Sequence, residues 1–109
     1  MTRENTLLIG WTTVESEADA RRLAADLVNA GLAACVQLDG PIYSVFPWKG
    51  AVEEASEWRL MVKFTEAREG EVAEFLDKRH PYETPEWVTV RASHVASEYL
   101  KWAREVTSR

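Results

Sequence analysis

Cysteine is almost missing from this 109-residue chain: Cys35 stands alone. No intramolecular disulfide can staple the fold, which fits a reducing compartment and predicts a cytoplasmic location. Basic clusters are equally scarce. The balance is 13 basic against 18 acidic residues, a formal charge of −5, and no Lys/Arg run exceeds the pairs Arg21-Arg22 and Lys78-Arg79. Phosphate contacts dominate nucleic-acid affinity, so the sequence predicts no nucleic-acid partner and no anionic membrane surface. Long hydrophobic runs are missing too. The apolar stretches 7–11 and 31–36 fall far short of the ~20 residues a spanning helix requires. No secretory signal is expected at the N-terminus. No linker or low-complexity segment interrupts the chain, so a single domain over residues 1–109 is expected, with 1–5 as a disordered tail.

Tryptophan is the one excess. Five tryptophans in 12.4 kDa are more than so small a core encloses easily, and a subunit interface is the natural place for the surplus.

Hydrophobic period gives the order of elements. Residues 7–13 read as a buried strand. Ala20, Leu23, Ala24, Leu27 and Val28 then recur at helical spacing, with Ser16 or Thr13 as N-cap and Gly31 suited to the left-handed position after the helix. The chain turns β-like from 32 to 46, with a break at Asp39-Gly40-Pro41 and a turn at Pro47-Trp48-Lys49-Gly50. The return strand over about 52–64 alternates cleanly, Trp58, Leu60, Val62 and Phe64 on one face and Arg59, Met61 and Lys63 on the other.

Thr65 is the expected cap of a second helix, with Val72, Phe75 and Leu76 inward. That helix must stop before His80-Pro81, because the residue preceding proline is pushed out of the α region. A strand over 87–92 follows, then a last helix capped by Ser97 with Tyr99, Trp102, Ala103 and Val106 on one stripe. The order βαββαβ plus a C-terminal helix predicts an α+β, ferredoxin-like antiparallel sheet with helices on one face. The other face would be bare, and the hairpin longer than the sheet needs. Both features predict that copies of the chain cover one another.

The densest polar cluster is His80-Pro81-Tyr82-Glu83-Thr84-Pro85-Glu86. An imidazole and carboxylates in a proline-fixed loop suit a divalent cation, with His80 and Glu83 as ligands and a third from elsewhere, such as Cys35 or Glu53. The same loop also reads as a structural turn in which Tyr82 packs and the carboxylates meet a cation such as Lys63. Cys35 reads either as a small buried hydrophobe or as a soft-metal thiolate. Lys63 could bind an anion beside Glu53 or Glu83. No nucleophile elbow, P-loop, dinucleotide fingerprint or HExxH is present, so a non-enzymatic protein without an organic cofactor is expected.

Taken together, Leu32-Ala33-Ala34-Cys35-Val36, Trp48-Lys49-Gly50 with Glu53-Glu54, Lys63-Phe64-Thr65, the loop from His80 to Glu86, and Tyr99-Leu100-Lys101-Trp102 resemble the CutA divalent-cation tolerance proteins. The resemblance runs from about residue 7 to 106. It implies a ferredoxin-like subunit in a homotrimer whose long hairpins pair between neighbours. It also implies a role in divalent-metal tolerance, with copper or another divalent cation as ligand, and kinship with the trimeric PII signalling proteins, whose inter-subunit cleft would take a small anion or nucleotide. The positions carried over are Cys35, Glu53, Lys63, His80, Tyr82, Glu83 and Glu86. Phe46-Pro47-Trp48 departs from the Tyr-Trp-Trp common in the family.

Overall fold

A computed structural model describes residues 6–108; the expected tail over 1–5 lies outside the described residues. Strand β1 (Leu7–Val14) leads into helix α1 (Glu17–Asn29), then come β2 (Cys35–Trp48) and β3 (Ala51–Thr65). A single 3₁₀ turn (Glu66–Arg68) precedes α2 (Glu69–Arg79), followed by β4 (Val88–Arg91) and α3 (Ser97–Val106). The four strands form one antiparallel sheet in the order β2-β3-β1-β4, the split βαβ arrangement expected from the element order.

Local chemistry explains most boundaries. Ser16 caps α1, its side chain accepting from the Asp19 amide at 3.1 Å. At the other end, Gly31 takes φ 73°, and the amides of Leu32 and Gly31 bond the carbonyls of Leu27 and Val28. This is a Schellman closure, which needs a residue tolerant of the left-handed region after the cap. Helix α2 stops at Arg79, leaving His80 extended at φ −71°, ψ 135° before Pro81.

Two expected caps differ. Thr65 precedes the 3₁₀ turn without a side-chain cap bond, and Ser97 is the first residue inside α3, where Ala96 holds the cap position, also without one. The break expected at Asp39-Gly40-Pro41 is a bulge inside one continuous strand, between the pairs Asp39↔Arg59 and Ile42↔Glu57. Pro47 likewise stays in the ladder opposite Val52, and the turn shrinks to Lys49-Gly50. Both turn residues have positive φ, 51° and 83°, as a tight two-residue hairpin turn demands.

Alternation along the strands divides the side chains between two faces. Leu8, Val14, Leu60, Val62 and Phe64 meet Leu23, Leu27, Val72 and Leu76 of α1 and α2 in the main core. Trp58 and Trp87 pack at its edge, so two of the five tryptophans belong to the chain's own interior. Trp87 stacks on Phe64 and covers Gly10, while Trp58 covers Gly40.

The second sheet face is not wholly bare, which corrects the expectation. Helix α3 closes one end of it through a small cluster of Leu7, Ala34, Leu100 and Ala103. Half of the stripe expected on α3 holds: Ala103 is buried and Val106 packs against the cluster, but Tyr99 and Trp102 are exposed and Leu100 takes their place. Beyond α3 the face carries Ile9 with Val90 and Trp11 with Val88 as direct cross-strand neighbours, both valines exposed. The hairpin projects past β1, whose last pair is Val14↔Trp58, and exposes Tyr43, Val45, Phe46, Trp48 and Val52.

Candidate functional site

The loop after α2 is tied to the sheet by a continuous chain of side chains. Because Pro81 forces His80 out of the helix, its imidazole turns back to β1, where Nε2 lies 2.9 Å from Oγ1 of the fully buried Thr12. The other ring nitrogen, Nδ1, accepts the Tyr82 amide N–H at 3.0 Å. A neutral imidazole has one acceptor nitrogen and one donor, so with Nδ1 accepting, the proton belongs on Nε2, the nitrogen that faces the Thr12 hydroxyl. Tyr82 is fixed again at its far end. Its hydroxyl donates to Oε2 of Glu57 at 2.8 Å.

Glu57 is the least expected member of this group. It sits on β3 opposite Ile42, where the hairpin leaves the sheet, and only 6% of it is exposed. A carboxylate so buried is costly unless hydrogen-bonded, and the Tyr82 phenol supplies that bond. Burial, followed by the hydrogen bond to Glu57 and that carboxylate's charge, raises the Tyr82 hydroxyl well above its ordinary value. Burial also lowers the His80 pKa. The Thr13 backbone and the carboxylates of Asp19 and Glu57 oppose that shift without reversing it.

The other sequence-predicted residues lie elsewhere. Cys35 and Lys63 are direct cross-strand partners, and Lys63 in turn is paired with Ile9, on the face opposite Leu60 and Phe64. Thr12 pairs with Leu60 and so marks the helix-covered face. His80 and Cys35 are therefore on different faces, and three residues of β1, roughly 10 Å, separate their rows. Glu53 stands opposite Phe46, exposed on the projecting hairpin. Glu83 and Glu86 are exposed in the loop. His80 and Tyr82 are thus brought together; Cys35 pairs only with Lys63; Glu53 joins neither group.

Among the described residues, no three of His, Cys, Asp and Glu stand together in a group able to hold a metal ion. Lys63 meets a different neighbour: its Nζ lies 5.8 Å from the centre of the Tyr99 ring, which packs against Trp102 at 5.5 Å. A groove of 320 Å³ between α1 and the end of α2 contains Asp19, Arg22, Asp26 and Arg79. Its charges largely neutralise one another through the pairs Arg22–Asp19 and Arg79–Asp26.

Sequence reasoning missed Thr12 and Glu57. Thr12 had a signal, a polar residue at a core-facing position of an otherwise apolar strand. Glu57 had none, because it falls among the exposed acids of the hairpin.

The family model for the CutA1 divalent ion tolerance protein matches residues 8–106. The chain belongs to this family. It is 35% identical to the divalent-cation tolerance protein CutA of Thermotoga maritima, over 91% of this chain and 97% of that protein. The CutA1 divalent cation tolerance protein from Thermus thermophilus superposes with a TM-score of 0.89 at 38% identity, covering 93% of this chain and 98% of that one. The periplasmic divalent cation tolerance protein CutA from Archaeoglobus fulgidus gives 0.89 at 32% identity, covering 93% and 98%. As in the CutA1 structures, the fold is α+β with a four-stranded antiparallel sheet and three helices. No described helix of this CutA1 family member is long and apolar enough to cross a membrane.

Proposed function

We propose that this chain is a homotrimeric, non-enzymatic cytoplasmic protein of divalent-metal tolerance, which binds copper or another divalent cation in a cleft closed between subunits. The observation that carries the proposal is the separation of the donors. The family is named for divalent ions, yet Cys35 and the loop over residues 80–86 lie on different parts of one chain. A cation that uses both must draw Cys35 from one subunit and Glu83 from another. The exposed face around Val88 and Val90 and the projecting apolar hairpin support the assembly that would do this. In this reading Glu86 and Glu53, both exposed, add oxygen donors, which suit the harder divalent cations.

Light scattering tests the assembly and Cu²⁺ titration calorimetry tests the site. The expected mass is three times 12.4 kDa. Cu²⁺ binding should be lost in Glu83→Ala and weakened in Cys35→Ser. A 12.4 kDa species, or equal affinity in all three proteins, would reject the reading.

A second reading has its own support. Lys63 makes no ion pair with a carboxylate among the described residues, and its ammonium lies against the exposed Tyr99–Trp102 pair. A cation beside aromatic faces suits a flat anion, such as a nucleotide or aromatic carboxylate, as in a PII-like module. A thermal-shift screen decides this: ligands of that class should raise the melting temperature of wild type and leave Lys63→Ala unmoved.

A further inference from the structure

We infer that His80 is a positioning residue for the loop over residues 80–86, clamped between Thr12 and the Tyr82 amide, and that it is not a cation ligand. The imidazole has a single lone pair, on Nδ1, and the Tyr82 amide occupies it at 3.0 Å. The other nitrogen, Nε2, lies 2.9 Å from the buried Thr12 hydroxyl, and the Thr13 backbone also bonds the ring. A cation at Nδ1 must release the Tyr82 amide; at Nε2 it must remove a proton and leave Thr12 without its partner.

The spacing itself argues for a clamp. Acceptance of the amide two residues ahead is what Asn and Asp side chains do in turns, and Nδ1 occupies the place of the Asn amide oxygen. Tyr82 is then held a second time by Glu57, across 25 residues of sequence. Three hydrogen bonds along Thr12, His80, Tyr82 and Glu57 thus fix the loop to β1 and β3 at once. The loop's exposed carboxylates, Glu83 and Glu86, acquire their place from that fixation.

The cation-binding part of this inference rests on the function proposed above; the clamp itself does not. Amide hydrogen exchange, imidazole ¹⁵N spectra with Zn²⁺, and Cu²⁺ titration separate the two, using wild type, His80→Asn, His80→Ala and Tyr82→Phe. Asparagine keeps the Tyr82 bond while removing Nε2 as a ligand. The Tyr82 amide should be equally protected in wild type and His80→Asn and exchange at least tenfold faster in His80→Ala. The spectrum should place the proton on Nε2, unmoved by Zn²⁺, and Cu²⁺ affinity in His80→Asn should stay within threefold of wild type.

A tenfold loss of Cu²⁺ affinity in His80→Asn with Tyr82 still protected would overturn the inference, as would a Zn²⁺-dependent imidazole shift. If wild type takes up neither ion, the proposed function fails and the exchange pattern alone judges the clamp. Equal protection in wild type and His80→Ala, or equal loss in both variants, would then reject it. Should His80→Ala not fold, Tyr82→Phe replaces it, since it removes only the bond to Glu57. Loop amides should exchange several-fold faster in that variant, and unchanged exchange rejects the clamp.

Discussion

Gly10 lies directly beneath the indole of Trp87: a Cβ at residue 10 would fall 2.3 Å from Cη2 of that ring. The ring also stacks on Phe64 at 5.9 Å between centroids, so it cannot withdraw without giving up a core contact. Gly10→Ala should therefore destabilise the fold by about 1–3 kcal/mol, the usual cost of overpacking a filled core. The shift in the guanidinium midpoint at unchanged m-value measures it. Trp87→Leu combined with Gly10→Ala should recover part of the loss by making room.

Glu57 and Tyr82 make the next prediction. Tyr82→Phe leaves a carboxylate that is 6% exposed without its phenol donor, and should cost about 1–3 kcal/mol. Glu57→Gln keeps an acceptor for the same hydroxyl and removes the buried charge. It should cost less than Tyr82→Phe, and urea denaturation of the two variants checks the order.

Stability should depend on pH through His80. Its folded-state pKa is lowered by burial, so just below the ordinary value near 6.5 the unfolded chain takes up a proton that the folded chain refuses. Stability contributed by this residue is full above the unfolded value and falls as pH drops from there towards the lowered folded value; below that it changes no further. Denaturation midpoints across about pH 5 to 8, the range in which histidine titrates, should show this slope in wild type. His80→Asn, with no group to titrate, should show less of it.

Assembly should be separable from folding. Val90 is exposed on the open sheet face beside Ile9 and contributes to no core cluster. Val90→Glu should leave circular dichroism unchanged and shift the mass in light scattering from three copies towards one. A folded trimer of this variant would remove the open face from the interface.

Much of the architecture is legible in the residues because period alone separates its elements. The alternation of Trp58, Leu60, Val62 and Phe64 against Arg59, Met61 and Lys63 fixes β3, and Ser16 and Gly31 bound α1 by local chemistry. Long-range packing hid the rest. The Gly40–Pro41 peptide looks like a chain break, but the sheet absorbs it as a bulge with Trp58 filling the space over Gly40. The apolar stripe of α3 reads as Tyr99, Trp102, Ala103 and Val106; Ala103 and Val106 do pack inward, but Leu100, not the two exposed aromatics, completes the contact with Leu7 and Ala34. At the candidate site, His80 and Tyr82 can be picked out from the proline-bounded loop. Their partners stand 68 and 25 residues away along the chain, and of these only Thr12, polar on a core-facing row, carries a signal of its own.

Seven residue pairs, from Ile42↔Glu57 to Trp48↔Ala51, carry the two-stranded arm beyond the sheet, and the folded chain measures 45 × 26 × 22 Å. A solitary copy would rotate like a club, slowly end over end and quickly about its shaft. Nuclear spin relaxation of amides aligned along the arm and across it would then report different rotational times. In a closed ring of copies that difference should shrink, which makes the arm a built-in gauge of how many chains travel together.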